Sequence, residues 1–419
     1  MHSLNRLNSR KNIISTDTFK KAPRVVPNLA ERDAALRLAN SKEFLSVARR
    51  NFLQGAAALS APAFLRTVHA AQTAHTAKIG IALPFTGVQA AVADDMRKGY
   101  ELAFKQAAAY GVAISAVFED DKTDAKETAR IIKSFAGDSS IVASTGIVGT
   151  PHAKASLPAA IGGGLPLIGI RSGADELRQG QKGVRHLRVS FNQELRKQME
   201  MIAGISNYKL AVVYSDDDFG KAAFAFVKEE AIRLNLLMRP PVAAERNGAN
   251  IEKATTEALG PDMYHTALLV LMISKPMQAA VKHARDNLKF SGPTFCMGFC
   301  ATRQFVESKE QSLTGLGLIA TFPVPKRALF EMTRNFNTLA DKAGLANLQN
   351  SLTAFEAFFY GSVIAAGVSR CKDAVTRTAL VSAVHNISHV QNLPISFDQE
   401  MVGFRHMEIV VKSGSRLAG

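Results

Sequence analysis

The residues with the most chemical potential lie in Ser140–Pro158, SIVASTGIVGTPHAKASLP. There an apolar run breaks into Gly146, Gly149, Thr150 and Pro151 and then turns helical. A strand-to-helix turn of this composition presents backbone N–H groups and a helix N-terminus, which suit an anionic or polar ligand. The spacing predicts Thr150 as the helix cap with Pro151 at the first helical position. His152 is the one histidine placed to act as a base, but no nucleophile is marked beside it.

Enzymatic signatures are absent. Gly162-Gly163-Gly164 precedes a strand instead of opening a helix, so it is no dinucleotide fingerprint. There is no GxxxxGK[ST] phosphate loop and no GxSxG nucleophile elbow. Cys296, Cys300 and Cys371 are too few for a disulfide framework. The Cys296/Cys300 pair lacks companion zinc ligands and reads as small buried side chains, with a disulfide as the alternative. No enzyme, cofactor or metal is therefore expected, and an α/β enzyme with His152 as its base is kept only as an alternative.

The elements that position these residues alternate. Strands are expected at Lys78–Pro84, Val112–Glu119, Ile141–Ser144, Leu165–Ile170, Leu210–Tyr214, Thr266–Met272, Pro293–Met297 and Leu316–Thr321. Between and after them, helices are expected at Val92–Tyr110, Ala125–Phe135, Gln193–Ser206, Lys221–Leu234, Pro276–Asn287, Leu329–Ala343, Leu352–Val368 and Ala374–His385. Ile395–Phe397 and Met407–Lys412 are expected to pair as a final hairpin. This alternation implies an α/β fold with two doubly wound, Rossmann-like lobes.

The net charge of +15 over 419 residues raises the question of nucleic acid, and its distribution answers it. Residues 1–70 hold 12 Lys or Arg against 4 Asp or Glu, leaving +7 over the remaining 349. No zinc spacing or aromatic-basic motif accompanies the rest, which excludes a nucleic-acid role. Within the leader, Ala48-Arg49-Arg50-Asn51-Phe52-Leu53-Gln54 precedes an Ala-rich apolar stretch and Val68-His69-Ala70. That pattern resembles a twin-arginine export signal with cleavage near Ala71, and residues 1–47 are set aside from the fold.

Taken together, several motifs in order resemble the periplasmic solute-binding proteins of the leucine/isoleucine/valine-binding type. They are Ile79-Gly80 with Pro84–Gly87, Gly99–Ala103, Glu119–Asp121, Gly146–Ala155, Gly164–Pro166, Tyr214–Asp217 with Phe219-Gly220, and Ile395–Asp398. The resemblance implies a type I periplasmic binding fold of two lobes joined by three crossovers. It divides the chain into 77–189 plus 320–390, and 190–318 plus 391–415. It further implies a ligand held between the lobes and delivered to an ABC permease in the inner membrane, with the twin-arginine machinery exporting the chain to the periplasm. A soluble sensor serving a membrane receptor is the alternative use of the fold.

Carried over by position, the ligand-binding candidates on one wall are Gly149, Thr150, Pro151, Arg171, Ser172 and Gly173. On the other they are Val92, Phe219, Lys275 and Cys300. Val92 and Phe219 stand where the family places tyrosines, and no Asp or Glu stands near Gly298–Cys300, where an acid often holds a ligand ammonium. Arg171 has a planar fork suited to a carboxylate. A site with this balance implies a small carboxylate-bearing solute, an amino acid or an organic or aromatic acid, with a free α-ammonium disfavoured.

Overall fold

A computed structural model describes residues 75–205 and 209–419. The leader, with Arg49-Arg50, lies outside the described residues, as does Ser206 at the end of one expected helix.

The first lobe starts with β1 (His75–Leu83), α1 (Ala90–Ala108), β2 (Val112–Asp120), α2 (Ala125–Gly137), β3 (Ile141–Thr145), α3 (Thr150–Gly162), β4 (Leu167–Ile168) and β5 (Val184–Arg185). Its sheet runs β2-β1-β3-β4-β5, all parallel. The second lobe continues with α4 (Phe191–Gly204), β6 (Lys209–Ser215), α5 (Asp218–Arg233), β7 (Val242–Ala244), α6 (Ile251–Leu259), β8 (Thr266–Leu271), α7 (Ser274–Lys282), β9 (Thr294–Cys296), α8 (Arg303–Glu307) and β10 (Leu316–Ala320). The chain continues as α9 (Glu331–Lys342), α10 (Leu352–Val368), which packs on α1, and α11 (Arg377–His385), followed by the small ribbon β11 (His389–Val390) and β12 (Leu393–Pro394). It ends in the second lobe as β13 (Glu408–Ser413) and β14 (Arg416–Ala418).

The expected alternation is observed, with one correction at the tail. β13 pairs antiparallel with both β10 and β14, so the last hairpin is β13–β14. Ile395–Phe397 does not join it. The second sheet is ordered β14-β13-β10-β9-β8-β6-β7.

Local chemistry sets the helix starts. Asp124 accepts from Lys126 N at the start of α2, Asp217 from Gly220 N at α5, and Ser190 with Gln193 forms a capping box on α4. α10 is buried nearly all round, as its LTAFEAFFYGSVIAAGV sequence dictates, and packs on α1. Gly99 makes that approach close: a Cβ there would lie 2.1 Å from Ala354 O.

Three crossovers, around 186–190, 321–330 and 395–407, lie side by side. His186 N donates to Met401 O and Gly403 N to His186 O, each at 2.8 Å, while Phe322 stacks on Phe404 at 5.6 Å. Among the described residues no helix is long and apolar enough to cross a membrane.

Candidate functional site

The Gly146–Thr150 loop extends the first sheet toward the second lobe. Val148 bridges Arg171 in parallel, with Arg171 N donating to Ile147 O at 2.9 Å and Gly149 N to Arg171 O at 3.1 Å. Gly149, at φ 101°, is the residue that caps α3, and Thr150 and Pro151 are the first two helical residues. The cap expected at Thr150 is thus shifted by one, because only glycine adopts that backbone without strain. The Thr150 hydroxyl is instead hydrogen-bonded to Ser172 Oγ at 2.9 Å.

Facing this loop is an aromatic wall. Phe191, Phe219 and Phe299 form a triad with ring centroids 5.0, 5.2 and 5.8 Å apart. Gly173 makes room for it, since a Cβ there would meet the Phe191 ring at 2.6 Å. Together with Gln89, Val148, Ile273 and Arg246, the triad, Gly149, Thr150 and Arg171 enclose a cavity of about 30 Å³. That is room for one water, so a larger solute requires the lobes to part or side chains to move.

Two guanidinium groups reach this cavity, each paired with a carboxylate but differing in the hydrogen bonds they have left to make. Arg171 is 5% exposed and donates through Nε to Glu356 Oε2 at 3.0 Å, and through Nη2 to Thr353 Oγ1 and Phe299 O, both at 2.9 Å. Glu356 also accepts from Arg188 Nη1 at 3.0 Å and from the Tyr360 hydroxyl at 2.6 Å. Its charge is therefore shared between two arginines. Arg246 pairs with Asp217 through Nη1, while its Nε and Nη2 are buried without a partner. Nη2 faces Gly149, where a Cβ would come within 3.2 Å of it. Arg246 is the guanidinium with donors to spare.

Behind this pair, His152 is 2% exposed with both ring nitrogens unpartnered. Burial, reinforced by Arg246, pushes its pKa down to about 4, so it is neutral near pH 7. A buried acid also lies where the sequence showed none: Glu194 Oε1 accepts from Gly298 N at 2.5 Å. Burial holds the Glu194 carboxyl up at about 7.

The remaining candidates divide. Ser172 is fully buried and touches the cavity only through Thr150, and Pro151 does not line it. Val92 and Lys275 both line a second crevice, which shares Gln89 with the first. Cys300 belongs to neither. It is fully buried in the second-lobe core with Sγ directed at Met272 O, 3.4 Å away, because the chain makes a short 3₁₀ turn over Gly298–Cys300. Phe299, its neighbour, presents its ring instead. All three cysteines are free thiols, so the alternative Cys296–Cys300 disulfide is not formed.

Residues 76–403 match the family described as periplasmic binding protein. The chain belongs to that family. Its fold is shared with solved structures of low identity. One is a substrate-binding periplasmic protein from Ralstonia solanacearum, with TM-score 0.75 and 22% identity, covering 81% of this chain and 99% of that one. Another is a branched-chain amino acid transporter substrate binding protein from Streptococcus pneumoniae in complex with isoleucine, with TM-score 0.72 and 18% identity, covering 82% and 98%. A third is a fatty acid ABC transporter substrate-binding protein from Thermomonospora curvata, with TM-score 0.70 and 16% identity, covering 82% and 90%. No curated protein matches the sequence.

In this periplasmic binding protein Gly149, Thr150, Arg171 and Phe219, all named from the sequence, line one cavity, together with Arg246, Gln89, Phe191 and Phe299, which the sequence reading did not name as candidates. Glu356 did leave a signal: it is the only charged residue in the apolar Leu352–Val368 run. A lone charge in a fully buried helix requires a buried partner. Arg246 left none, since it sits in a polar turn, Glu245–Asn250, whose position opposite Gly149 is set entirely by the tertiary fold.

Proposed function

We propose that this periplasmic binding protein is the substrate-binding component of an ABC importer, capturing a small carboxylate-bearing solute between its lobes and handing it to an inner-membrane permease. The single observation that carries the ligand class is Arg246, with two buried, unpartnered nitrogens beside the Thr150 hydroxyl and the phenylalanine triad. A guanidinium that pairs with a carboxylate here is desolvated, which strengthens the bond. The apolar triad suits an aliphatic or aromatic body. Both lobes contribute, so the ligand favours the closed state by its differential contacts.

The division at 77–189 plus 320–390 against 190–318 plus 391–415 is part of this reading, as is export to the periplasm through the twin-arginine signal at Arg49-Arg50. An α-ammonium is disfavoured because no Asp or Glu among the described residues lines the cavity, and the nearby Glu356 and Asp217 are already paired with arginines. Titration calorimetry with benzoate, hexanoate, leucine and valine tests this. Binding of the simple acids is expected, and tight binding of leucine with none of the acids would overturn it.

A further inference from the structure

The cavity is not the whole of the cleft. Next to it lies a crevice of about 300 Å³, a size suited to a small organic ligand, and Gln89 borders both. Gln89 is 7% exposed, yet its amide nitrogen is buried without a hydrogen-bond partner. A buried donor in that state costs free energy unless something accepts from it.

The crevice has one side, Gly87 to Val92, that is apolar except for Gln89, and an opposite side of Ser274, Lys275, Gln278, Thr302 and Gln304 that is polar. The polar side contains the start of α7, whose preceding residue, Ile273, offers no side-chain cap. The amides of Ser274 and Lys275 therefore open the helix without a capping oxygen. The Lys275 side chain is exposed and, among the described residues, makes no ion pair or hydrogen bond. Among the described residues no Asp or Glu lines the crevice or the cavity. Arg246 thus supplies cationic donors at one end of the joint space, Lys275 with the α7 amides supplies them at the other, and Gln89 has a free donor between. The two ends belong to neighbouring segments, since a Cβ on Gly248 would touch Pro276 at 3.0 Å.

We propose that the ligand is a two-ended acid, a dicarboxylate with an apolar middle, one carboxylate held by Arg246 and the other by Lys275 and the start of α7. This rests on the carboxylate reading above and narrows it. The middle lies against Phe191 and Val92, and Gln89 donates to an acceptor oxygen that reaches it.

Titration calorimetry on the full chain with matched pairs, benzoate against terephthalate and hexanoate against adipate, tests the proposal. The dicarboxylate of at least one pair is expected to bind tenfold or more tightly than its partner. Lys275→Met is expected to reduce that ratio at least tenfold, and Lys275→Arg to preserve it. Monocarboxylates that bind as well as their dicarboxylate partners, or a ratio unmoved by Lys275→Met, would overturn the two-ended ligand while leaving the carboxylate reading intact. Failure of all four acids to bind would overturn both.

Discussion

Glu356 is the residue whose loss should be most costly, and the structure says by how much relative to its partners. Its carboxylate neutralises two arginines, Arg171 at 5% exposure and Arg188 at 0%, each at 3.0 Å, and accepts from Tyr360 as well. Glu356→Gln leaves Arg171 without an acidic partner in the core and Arg188 with only Glu194, 3.8 Å away. Removing one partner of a buried pair costs about 3–5 kcal/mol, a large part of the roughly 5–15 kcal/mol that holds a domain folded. Arg171→Met differs, because Glu356 keeps Arg188 and Tyr360 and no charge is left alone. Its expected cost is about 1–2 kcal/mol, near that of a lost hydrogen bond.

Urea unfolding of the two variants measures this order. A loss below about 1 kcal/mol for Glu356→Gln, or Arg171→Met proving the more damaging, would refute the shared-carboxylate reasoning. The same logic ranks ligand binding. Arg246→Met should lower acid affinity about tenfold to a hundredfold, the equivalent of the 1.5–3 kcal/mol of a charge-assisted hydrogen bond. Arg171→Met should lower it less, since Arg171 already makes three hydrogen bonds inside the protein while Arg246 Nε and Nη2 make none.

Three further outcomes are expected. Burial raises the Glu194 carboxyl to about 7, so the folded chain holds a proton that the unfolded chain has released between pH 4.5 and 7, and this group's contribution to stability falls as pH rises through that window. Glu194→Gln should therefore gain stability relative to the parent chain from pH 4.5 to 8, and a difference that stays flat in chemical unfolding would count against it. Arg303 spans the lobes from α8 to α1, with Nε 3.2 Å from Asp95 and Nη2 3.1 Å from Asp94. Arg303→Ala should favour the open form by about 1–2 kcal/mol, read as roughly tenfold weaker ligand binding and a larger radius of gyration in small-angle scattering, and unchanged values for both would argue that this contact does not hold the lobes together. Gly149→Ala places a Cβ at φ 101° within 3.2 Å of Arg246, and a strain of about 1–3 kcal/mol should appear as weaker acid binding, so that parent-like affinity in a titration would contradict it.

Much of this architecture was legible because it rests on local signals. Strand runs such as Thr266–Leu271 are apolar throughout, and helix starts carry Asp124, Ser190, Asp217 and Ser351 as caps. What was not legible depends on partners far along the chain. β7 is three residues long and α6 starts without a side-chain cap, so neither rises above its surroundings. Arg171 was recognisable as a charge at a strand end, but its neutralisation depends on Glu356, 185 residues on. Cys300 and Phe299 are adjacent in sequence, and only the turn over Gly298–Cys300 decides which of them faces the cavity.

The burial of α10 has a kinetic side. α1 and the first sheet are complete by residue 185, yet the helix that covers α1 does not arrive until Leu352–Val368, and the second sheet likewise waits for β13 to flank β10. Neither lobe can close its core before most of the chain is available. Contacts this distant make folding slow, and until they form, the apolar faces destined for α10 stay uncovered and prone to aggregate.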